Sequence, residues 1–168
     1  MEIINFDRTD SNHLKYVKKL SKINNFYLLD IILSLHCSKV MEGRLAVVDK
    51  KVIGYLLYEV LDNNNLKYIN LSFLLIDKRY RSKGYATQLS NAISNVICDY
   101  IEVSASPTVK SICFWIKQDY WFPSAIFVKP DVNHFTTMLI DYPDSYDVFV
   151  KPRITSRNTI QLIKKQKS

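Results

Sequence analysis

The stretch that decides the fold is residues 70–89, NLSFLLIDKRYRSKGYATQL. It begins with an apolar run that is typical of a β-strand and resumes at helical spacing after a basic turn. We expect Leu89, Ile93, Val96 and Ile97 to lie on the buried face of that helix. The pattern therefore predicts a strand–turn–helix unit of an α/β protein.

The turn in this unit holds Arg81, Lys83 and Gly84. The first backbone N–H groups of a helix lack partners, and the aligned peptide dipoles make that end positive. Two cations and a residue without a Cβ therefore favour a seat for a phosphate or diphosphate. The chain has only three glycines, which makes this one more informative. An ordinary strand–helix turn with solvated charges is the alternative interpretation.

The pattern Arg81-x-x-Gly84-x-Ala86 after a strand resembles motif A of the GNAT superfamily, the acyl-CoA-dependent N-acyltransferases. The two commonest phosphate loops, G-x-x-x-x-G-K-[ST] and G-x-G-x-x-G, are absent from the sequence. The residues that the resemblance implies for binding CoA are Leu74, Leu75, Ile76, Arg81, Ser82, Lys83, Gly84, Tyr85, Ala86 and Thr87.

The resemblance also implies how these residues act. The backbone N–H groups of residues 83–87 would hold the diphosphate, and Arg81 and Lys83 would add charge. The backbone of residues 74–76 would pair with pantetheine like an added strand. The N–H of Leu74 or Ile76 would polarise the thioester carbonyl.

A second segment, from Thr108 to Tyr120, resembles motif B of the same family in register but not in chemistry. Thr108 stands where the family has Asn, and Trp115 stands where it has the Tyr that protonates the departing thiolate. We expect both residues to lie against CoA, with Trp115 as a packing residue against the pantetheine or the core. Because indole cannot donate a proton to sulfur as a phenol does, Tyr120, Tyr85 and Cys113 are the candidate substitutes.

The acceptor amine needs help to lose a proton. A lysine-like amine with a pKa near 10.4 is unprotonated in only about one molecule in 2,500 at pH 7. Members of the family often use a carboxylate on the neighbouring strands, directly or through water. Glu59 is the nearest carboxylate here, and Asn70 and Ser72 are candidates to hold a water. A solvent-facing strand residue is the other interpretation of Glu59.

Periodicity and turn residues predict the remaining elements. They are strand 2–6, helices after Asp10 and over 26–37, strands 44–48, 52–61 and 66–76, the central helix, strand 100–105, helix 108–118, and strands 124–129 and 135–141. This order resembles the GNAT fold, an α/β (α+β) fold with a mixed, splayed sheet of about seven strands flanked by about four helices. We expect a GNAT-like acetyltransferase domain over residues 1–141. A basic C-terminal extension with a short helix at 160–163 is expected over residues 142–168.

The charge and composition of the chain indicate which classes of partner to expect. The net charge is +7, but residues 151–168 contain six basic residues and no acidic one, so the rest of the chain carries only +1. Nucleic acid is therefore an expected partner only for this tail. The three cysteines are far apart, which predicts reduced thiols and no metal site. The longest apolar run, residues 27–35, is interrupted by Asp30, and no leader pattern begins the sequence, so we expect no membrane partner and a cytoplasmic or nuclear location.

The resemblance implies a reaction in which an acetyl group passes from acetyl-CoA, a cosubstrate, to a primary amine of a small molecule or protein. Direct transfer through a ternary complex is expected, with the protein a monomer or homodimer. Two alternatives remain open: a catalytically weak GNAT-fold module that binds acyl-CoA, and a nucleic-acid- or ribosome-associated protein that uses residues 151–168. Asp141, Asp144 and Asp147 would either attract a cationic amine or pair with the basic tail.

Overall fold

The structure is a computed structural model that describes residues 1–26, 31–32, 35, 41–63, 66–105, 109–120 and 160–165. The chain divides into two compact units, Met1–Cys98 and Asp99–Ser168. The first unit contains the basic turn, and the second contains the motif B segment.

A four-stranded antiparallel sheet forms the base of the first unit. Its strands pair in sequence order: β1 (Glu2–Asn5), β2 (Met41–Val48), β3 (Lys51–Asn63) and β4 (Leu66–Ile76). Asp49 and Lys50 turn β2 into β3 with φ angles of 49° and 61°. Positive φ at both central residues matches the right-handed twist of a hairpin. The hairpin that the sequence predicts around this turn is confirmed.

The first helix, α1 (Ser11–Ile23), covers one face of this sheet. Asp10 caps its first turn, because the side chain accepts a hydrogen bond from the N–H of Asn12 at 2.7 Å. The apolar cluster under the helix consists mainly of Val17, Leu20, Leu45, Tyr55, Leu57, Phe73 and Leu75. The hydroxyls of Ser21 and Tyr55 meet at 2.7 Å inside it. This buried hydrogen bond joins α1 to β3.

A second helix, α2 (Tyr85–Asn91), follows β4 through a short 3₁₀ turn at Lys78–Tyr80. Leu56, Tyr58, Ile69 and Leu71 point away from the α1 cluster by strand alternation, yet each is at most 1% exposed. Since α2 contacts β2, β3 and β4 and buries Leu89 completely, it covers this opposite face. The apolar stripe predicted for the helix is thus partly confirmed.

The prediction that Ile97 lies on the buried face is wrong, because its side chain is 86% exposed. The α-helix ends at Asn91, and the chain continues through i→i+3 hydrogen bonds from Ser94 to Asn91 and from Val96 to Ile93. Such turns have about 3.0 residues each instead of 3.6, so later residues rotate off the helical stripe. Ile93 is still fully buried.

The second unit contains β5 (Tyr100–Ala105), α3 (Val109–Ile116) and β6 (Ile160–Lys165). The strand predicted at 100–105 is confirmed. The short helix predicted at 160–163 is wrong, since this segment pairs antiparallel with β5. Val103 lies opposite Leu162, and both side chains are buried. A partner almost sixty residues away in the chain therefore overrides the weak local preference.

Several predictions fall outside the described residues. They are the strands at 124–129 and 135–141, the domain boundary at residue 141, the start of the motif B helix, most of the helix predicted at 26–37, and Asp141, Asp144 and Asp147. Of the 26–37 segment, Phe26, Ile31, Ile32 and Leu35 are described; the last three are helical and Phe26 is not.

Gly43 tests how tightly β2 packs on β3. A Cβ at this position would lie 2.6 Å from the carbonyl oxygen of Leu56 and 2.7 Å from a methyl carbon of Leu57. We expect Gly43→Ala to lower the free energy of unfolding by about 1–3 kcal/mol through overpacking. Urea denaturation measures this, with the exposed Lys51→Ala as a control that changes stability by less than about 0.5 kcal/mol. Equal midpoints for the two variants would contradict the close approach.

Candidate active site

The connection between β4 and α2 forms the candidate phosphate seat. Gly84 occupies the N-cap of α2 with φ 76° and ψ 0°, a left-handed conformation that glycine adopts without strain. Apart from Gly84 itself, its two chain neighbours and the backbone of its own helix, no atom of the described residues lies within 4 Å of the point where a Cβ would stand. Residues 81–84 are exposed. A ligand therefore has direct access to the backbone at the start of the helix.

Asp77 anchors the beginning of this connection. It is 1% exposed, and its carboxylate accepts hydrogen bonds from the Arg79 backbone N–H at 3.1 Å, from Nε at 3.2 Å and from Nη2 at 2.6 Å. The hydrogen bonds from Arg79 hold the pKa of the Asp77 carboxyl below its usual value, although burial opposes the shift. The Asp77 N–H donates to the carbonyl of Ile53 on β3 at 2.8 Å. The connection is thus tied to the sheet at its first residue.

Arg81, a predicted diphosphate ligand, contacts the strand that precedes it. Its Nε donates to the carbonyl oxygen of Ile76 at 2.9 Å, and Nη2 lies 3.4 Å from Oδ1 of Asn24. Lys83, the other predicted cation, has its ammonium 5.8 Å from the centre of the Tyr80 ring. Both cations therefore lie on the same exposed connection as Gly84.

The pairing of β4 with β3 determines which of the backbone N–H groups predicted to contact pantetheine are bonded to β3 and which point away from it. In an antiparallel ladder, hydrogen-bonded pairs alternate with pairs whose N–H and C=O groups point away from each other. Because the Asp77 N–H bonds to Ile53, the next pair along the strands, Gly54–Ile76, is a pair that is not hydrogen-bonded. By alternation, Leu75 bonds to β3, whereas Leu74 and Ile76 direct their N–H groups away from β3. These two residues are the ones that the resemblance implies for the thioester.

A β-bulge interrupts β4 next to these residues. Leu57 lies opposite Phe73 and Tyr58 lies opposite Leu71, so Ser72 has no partner position on β3. One extra residue bends a strand and increases its local twist, and bulges are frequent next to active sites. The bulge also explains why odd-numbered residues of β4 face α2 before Ser72 and α1 after it.

The candidate groups for activating the amine lie beside this bulge. Glu59 and Asn70 are directly opposite each other on β3 and β4, on the same face of the sheet. Both are partly buried, as is the bulged Ser72. The structure thus brings all three predicted residues together over two neighbouring strands. Their role in catalysis remains a prediction.

The motif B residues belong to the second unit. Trp115 and Tyr120 are 5% and 3% exposed, and their rings meet edge to face with centroids 4.9 Å apart. The Lys164 ammonium of β6 lies 5.7 Å from the centre of the Tyr120 ring. These contacts indicate packing roles for both aromatic residues. Cys113 is partly buried, and Thr108 lies outside the described residues.

Two phenols on β3 are poor candidates for proton donors. The Tyr58 hydroxyl donates to Oε2 of Glu42 at 2.9 Å, and burial, followed by this hydrogen bond, raises the pKa of Tyr58 to about 12. Burial also raises the pKa of Tyr55, although its hydrogen bond with Ser21 opposes the shift. Both hydroxyls are therefore weaker acids than an ordinary phenol, and their hydrogen bonds indicate structural roles.

Two residues of this region, Asp77 and Asn24, are not among those that the sequence predicts. An Asp at the end of a strand and just before a turn is a recognisable capping signal, so Asp77 could have been found. Asn24 lies more than fifty positions from the connection it contacts, and no local pattern points to that contact.

The described residues contain no group of three or more His, Cys, Asp or Glu side chains arranged to hold a metal ion. Among the helices in this part of the chain, none is sufficiently long and apolar to span a membrane. Of the six basic residues in the tail, Lys164 and Lys165 are in β6, and the other four lie outside the described residues.

Comparisons with known proteins bear on the class of this one. Residues 16–97 match the model of the acetyltransferase (GNAT) family. No curated protein sequence matches the chain. Tetrahymena GCN5 has a similar structure, with a TM-score of 0.67 and 13% identity over 99% of this chain and 97% of that chain. The PaiA N-acetyltransferase of Thermoplasma acidophilum, solved in complex with coenzyme A, has a TM-score of 0.60 and 11% identity over 98% of this chain and 99% of that chain.

A third similar structure is an aminoglycoside acetyltransferase from an uncultured soil metagenomic sample, solved in complex with sisomicin. Its TM-score is 0.55, with 14% identity over 70% of this chain and 85% of that chain. The fold is therefore an α/β GNAT fold, as predicted. The resemblance to the GNAT acetyltransferase family is confirmed by the matched segment, which includes motif A, and by the similarity of the fold.

Asp77 makes a testable contribution to stability. Because its pKa is lowered in the folded state, its stabilising effect is present above the usual pKa of 3.8 and is lost as the pH falls below it. We expect Asp77→Asn to lower the free energy of unfolding by about 1–3 kcal/mol at pH 7. The difference from wild type should shrink below about pH 4. Denaturant titrations at pH 7 and pH 3.5 measure both effects.

The control for this change is Asp49→Asn, which removes the same charge from an exposed turn where Asn also adopts positive φ. Its effect should stay within about 0.5 kcal/mol at both pH values. A pH-independent difference between Asp77→Asn and wild type would contradict the lowered pKa.

Proposed function

We propose that this protein is an N-acetyltransferase that moves an acetyl group from acetyl-CoA to a primary amine, directly within a ternary complex. The observation that carries the proposal is the arrangement of β4 and α2. An exposed, left-handed Gly84 begins the helix, and Leu74 and Ile76 direct their N–H groups away from β3 on the strand that leads to it. The family match supports the use of an acyl-CoA.

Each part of this arrangement has a role in the proposed reaction. The diphosphate of acetyl-CoA binds to backbone N–H groups of residues 83–87, with Lys83 and Arg81 supplying positive charge. Pantetheine lies along Leu74–Ile76, where one outward N–H stabilises the negative charge that develops on the thioester oxygen. Binding of both reactants on fixed backbone supplies an effect of about 7–11 kcal/mol on the barrier.

Proton transfers contribute a smaller share, typically about 10²–10⁴-fold. We assign the role of general base, which accepts the proton of the amine, to Glu59. It would act directly or through a water held by Asn70 and Ser72. Trp115 cannot protonate the departing thiolate, and Tyr120, the candidate substitute, is 3% exposed. The proposed enzyme therefore depends mainly on positioning. The aminoglycoside acetyltransferase among the similar structures, solved with sisomicin, supports an amine as acceptor.

The first test concerns CoA binding at Gly84. Asn and Asp both tolerate positive φ and have almost the same size, so Gly84→Asn and Gly84→Asp differ mainly in one negative charge. We expect Gly84→Asp to bind CoA at least about tenfold more weakly than Gly84→Asn, because a carboxylate repels the diphosphate. Isothermal titration calorimetry measures both dissociation constants.

The ionic strength supplies a further control, since the difference between the two variants should decrease as salt screens the repulsion. Thermal unfolding without ligand verifies that both variants fold. Equal affinities for the Asn and Asp variants, or wild-type protein that does not bind CoA, would refute a diphosphate seat at Gly84.

The second test concerns the base. With acetyl-CoA and a panel of primary amines, thiol release measures transfer. We expect Glu59→Gln to lower kcat/KM by about 10²–10⁴-fold at pH 7. The deficit should narrow as the pH approaches the pKa of the amine, since less proton transfer is then required. The control is Asp62→Asn, an exposed carboxylate on the same strand, which should leave kcat/KM unchanged.

The alternative function is an acyl-CoA-binding module with little turnover. Trp115 in place of the family's tyrosine favours it, because the ring is buried against Tyr120 and has no proton to give to sulfur. CoA binding by wild-type protein without thiol release for any amine would support the module over the enzyme.

A further inference from the structure

The end of α1 makes a contact that the proposed reaction does not explain. Oδ1 of Asn24 accepts a hydrogen bond from the backbone N–H of Lys78 at 2.9 Å, and it lies 3.4 Å from Nη2 of Arg81. These partners are 54 and 57 positions further along the chain. Both lie on the connection between β4 and α2. Asn24 therefore joins the end of α1 to the candidate phosphate seat.

The position of Asn24 is fixed by the helix end. Asn24 is the C-cap of α1, and Asn25 follows it with φ 52°. Phe26 N–H bonds to the carbonyl of Ser21 at 2.9 Å, and Asn25 N–H bonds to that of Lys22 at 3.3 Å. This pair of bonds defines a Schellman motif, which holds the last helical turn in one conformation.

The side-chain amide of Asn24 is also fixed. Its Nδ2 donates to the carbonyl oxygen of Leu20 at 2.9 Å, so Oδ1 points toward the connection. With the amide held in this way, its oxygen meets two donors without any ordering of its own side chain. The arrangement costs little conformational entropy when the connection docks on it.

The Lys78 N–H needs this partner. Lys78 begins the 3₁₀ turn, and the first N–H groups of a helical turn have no intrahelical acceptor. Asp77 satisfies the next N–H, that of Arg79, with its own carboxylate. Asn24 satisfies the N–H of Lys78 from outside. Asp77 and Asn24 together hold the start of the connection at two consecutive residues.

Oδ1 of Asn24 also contacts the guanidinium of Arg81. The guanidinium donates from Nε to the Ile76 carbonyl at 2.9 Å, and its Nη2 lies 3.4 Å from Oδ1 of Asn24. These two contacts restrict the rotamers of a long, exposed side chain. Arg81 is thereby kept beside β4 at the position where the diphosphate is proposed to bind.

We infer that Asn24 is a positioning residue for CoA binding: it holds the Lys78–Arg81 connection and the Arg81 side chain in the conformation that receives the diphosphate. This inference rests on the proposed function. Without Asn24 the connection must be ordered at the moment of binding, and that ordering cost lowers the affinity for CoA. Asn24 does not contact the reacting atoms, so catalysis of bound substrate should not depend on it.

The test compares CoA binding by wild type, Asn24→Ala and Asn24→Asp, measured by isothermal titration calorimetry. We expect Asn24→Ala to raise the dissociation constant for CoA roughly fivefold to tenfold, which is the effect of losing one or two hydrogen bonds. Asn24→Asp keeps an acceptor oxygen for Lys78 N–H and Arg81 but loses the Nδ2 donor to Leu20. Its affinity should stay within about threefold of wild type at 0.3 M salt, where charge repulsion of CoA is screened.

The matched control is Asn25→Gly at the neighbouring position, since glycine is favoured where φ is positive and the connection is not touched. Its affinity for CoA should equal that of wild type. Thermal unfolding without CoA separates a loss of fold from a loss of affinity. Should Asn24→Ala fail to fold, Asn24→Ser replaces it, because the shorter hydroxyl cannot span to Lys78. A KM for acetyl-CoA that rises while kcat is unchanged is the expected kinetic signature.

The outcomes distinguish the inference from the function on which it rests. Wild-type protein that binds CoA, with Asn24→Ala binding equally well, would overturn the role of Asn24 alone. Asn24→Asp as weak as Asn24→Ala would also overturn it, since the helix end and not the connection would then matter. Wild-type protein that does not bind CoA would overturn the proposed function and this inference together.

Discussion

The hydrogen bonding between β3 and β4 is the constraint on which the candidate site depends. Each residue of β4 has one N–H and one C=O, and the antiparallel ladder commits every second residue to β3. The bond from Asp77 N–H to Ile53 sets the phase of this alternation at the end of β4. Leu75 is thereby committed to the sheet, and Leu74 and Ile76 are not. If the alternation were shifted by one residue, Leu75 would direct its N–H away from β3, and Leu74 and Ile76 would bond to β3, whatever their side chains.

The packing on both faces of β3 stabilises the register of β3 against β4, and with it this alternation. Residues 53–58 of β3 are all buried, because α1 covers one face and α2 covers the other. A slip by one residue would move each buried set to the opposite face, where its side chains no longer fit those of the helix that covers it. Gly54 contributes directly, since a Cβ there would lie 2.6 Å from the Leu75 carbonyl oxygen. The same contacts that stabilise the first unit therefore also determine which backbone groups can meet a ligand.

The phosphate seat combines order at its start with exposure at its end. Asp77 is buried and Lys78 N–H is bonded to Asn24, whereas residues 81–84 are exposed around two left-handed residues, Ser82 and Gly84. A loop whose first residues are held in place and whose last residues are exposed is suited to binding an anion through its backbone N–H groups. In this arrangement side-chain identity matters less than backbone geometry, which explains how a chain with 11–14% identity to solved acetyltransferase structures can share their fold.

Some features could be predicted because the cause lies within a short segment. The bounds of β4, the β2–β3 hairpin and the cap of α1 depend on alternation, turn residues and Asp10, all of which are local. The resemblance to motif A likewise depends on three positions within six residues. Ile97 and the 160–163 segment were misassigned because a switch to 3₁₀ turns and a distant strand partner decided them.

The sequence by itself determined which residue types stand at the strand–helix connection, and with them the resemblance to the GNAT family and the expected cosubstrate. Only the tertiary structure decided the phase of the β4 ladder, the bulge at Ser72 and the contact of Asn24 with Lys78. The physical reason is that each of these depends on a partner far along the chain. A hydrogen bond between residues 54 positions apart has no local sequence signal, because its geometry arises only when the sheet and α1 pack together.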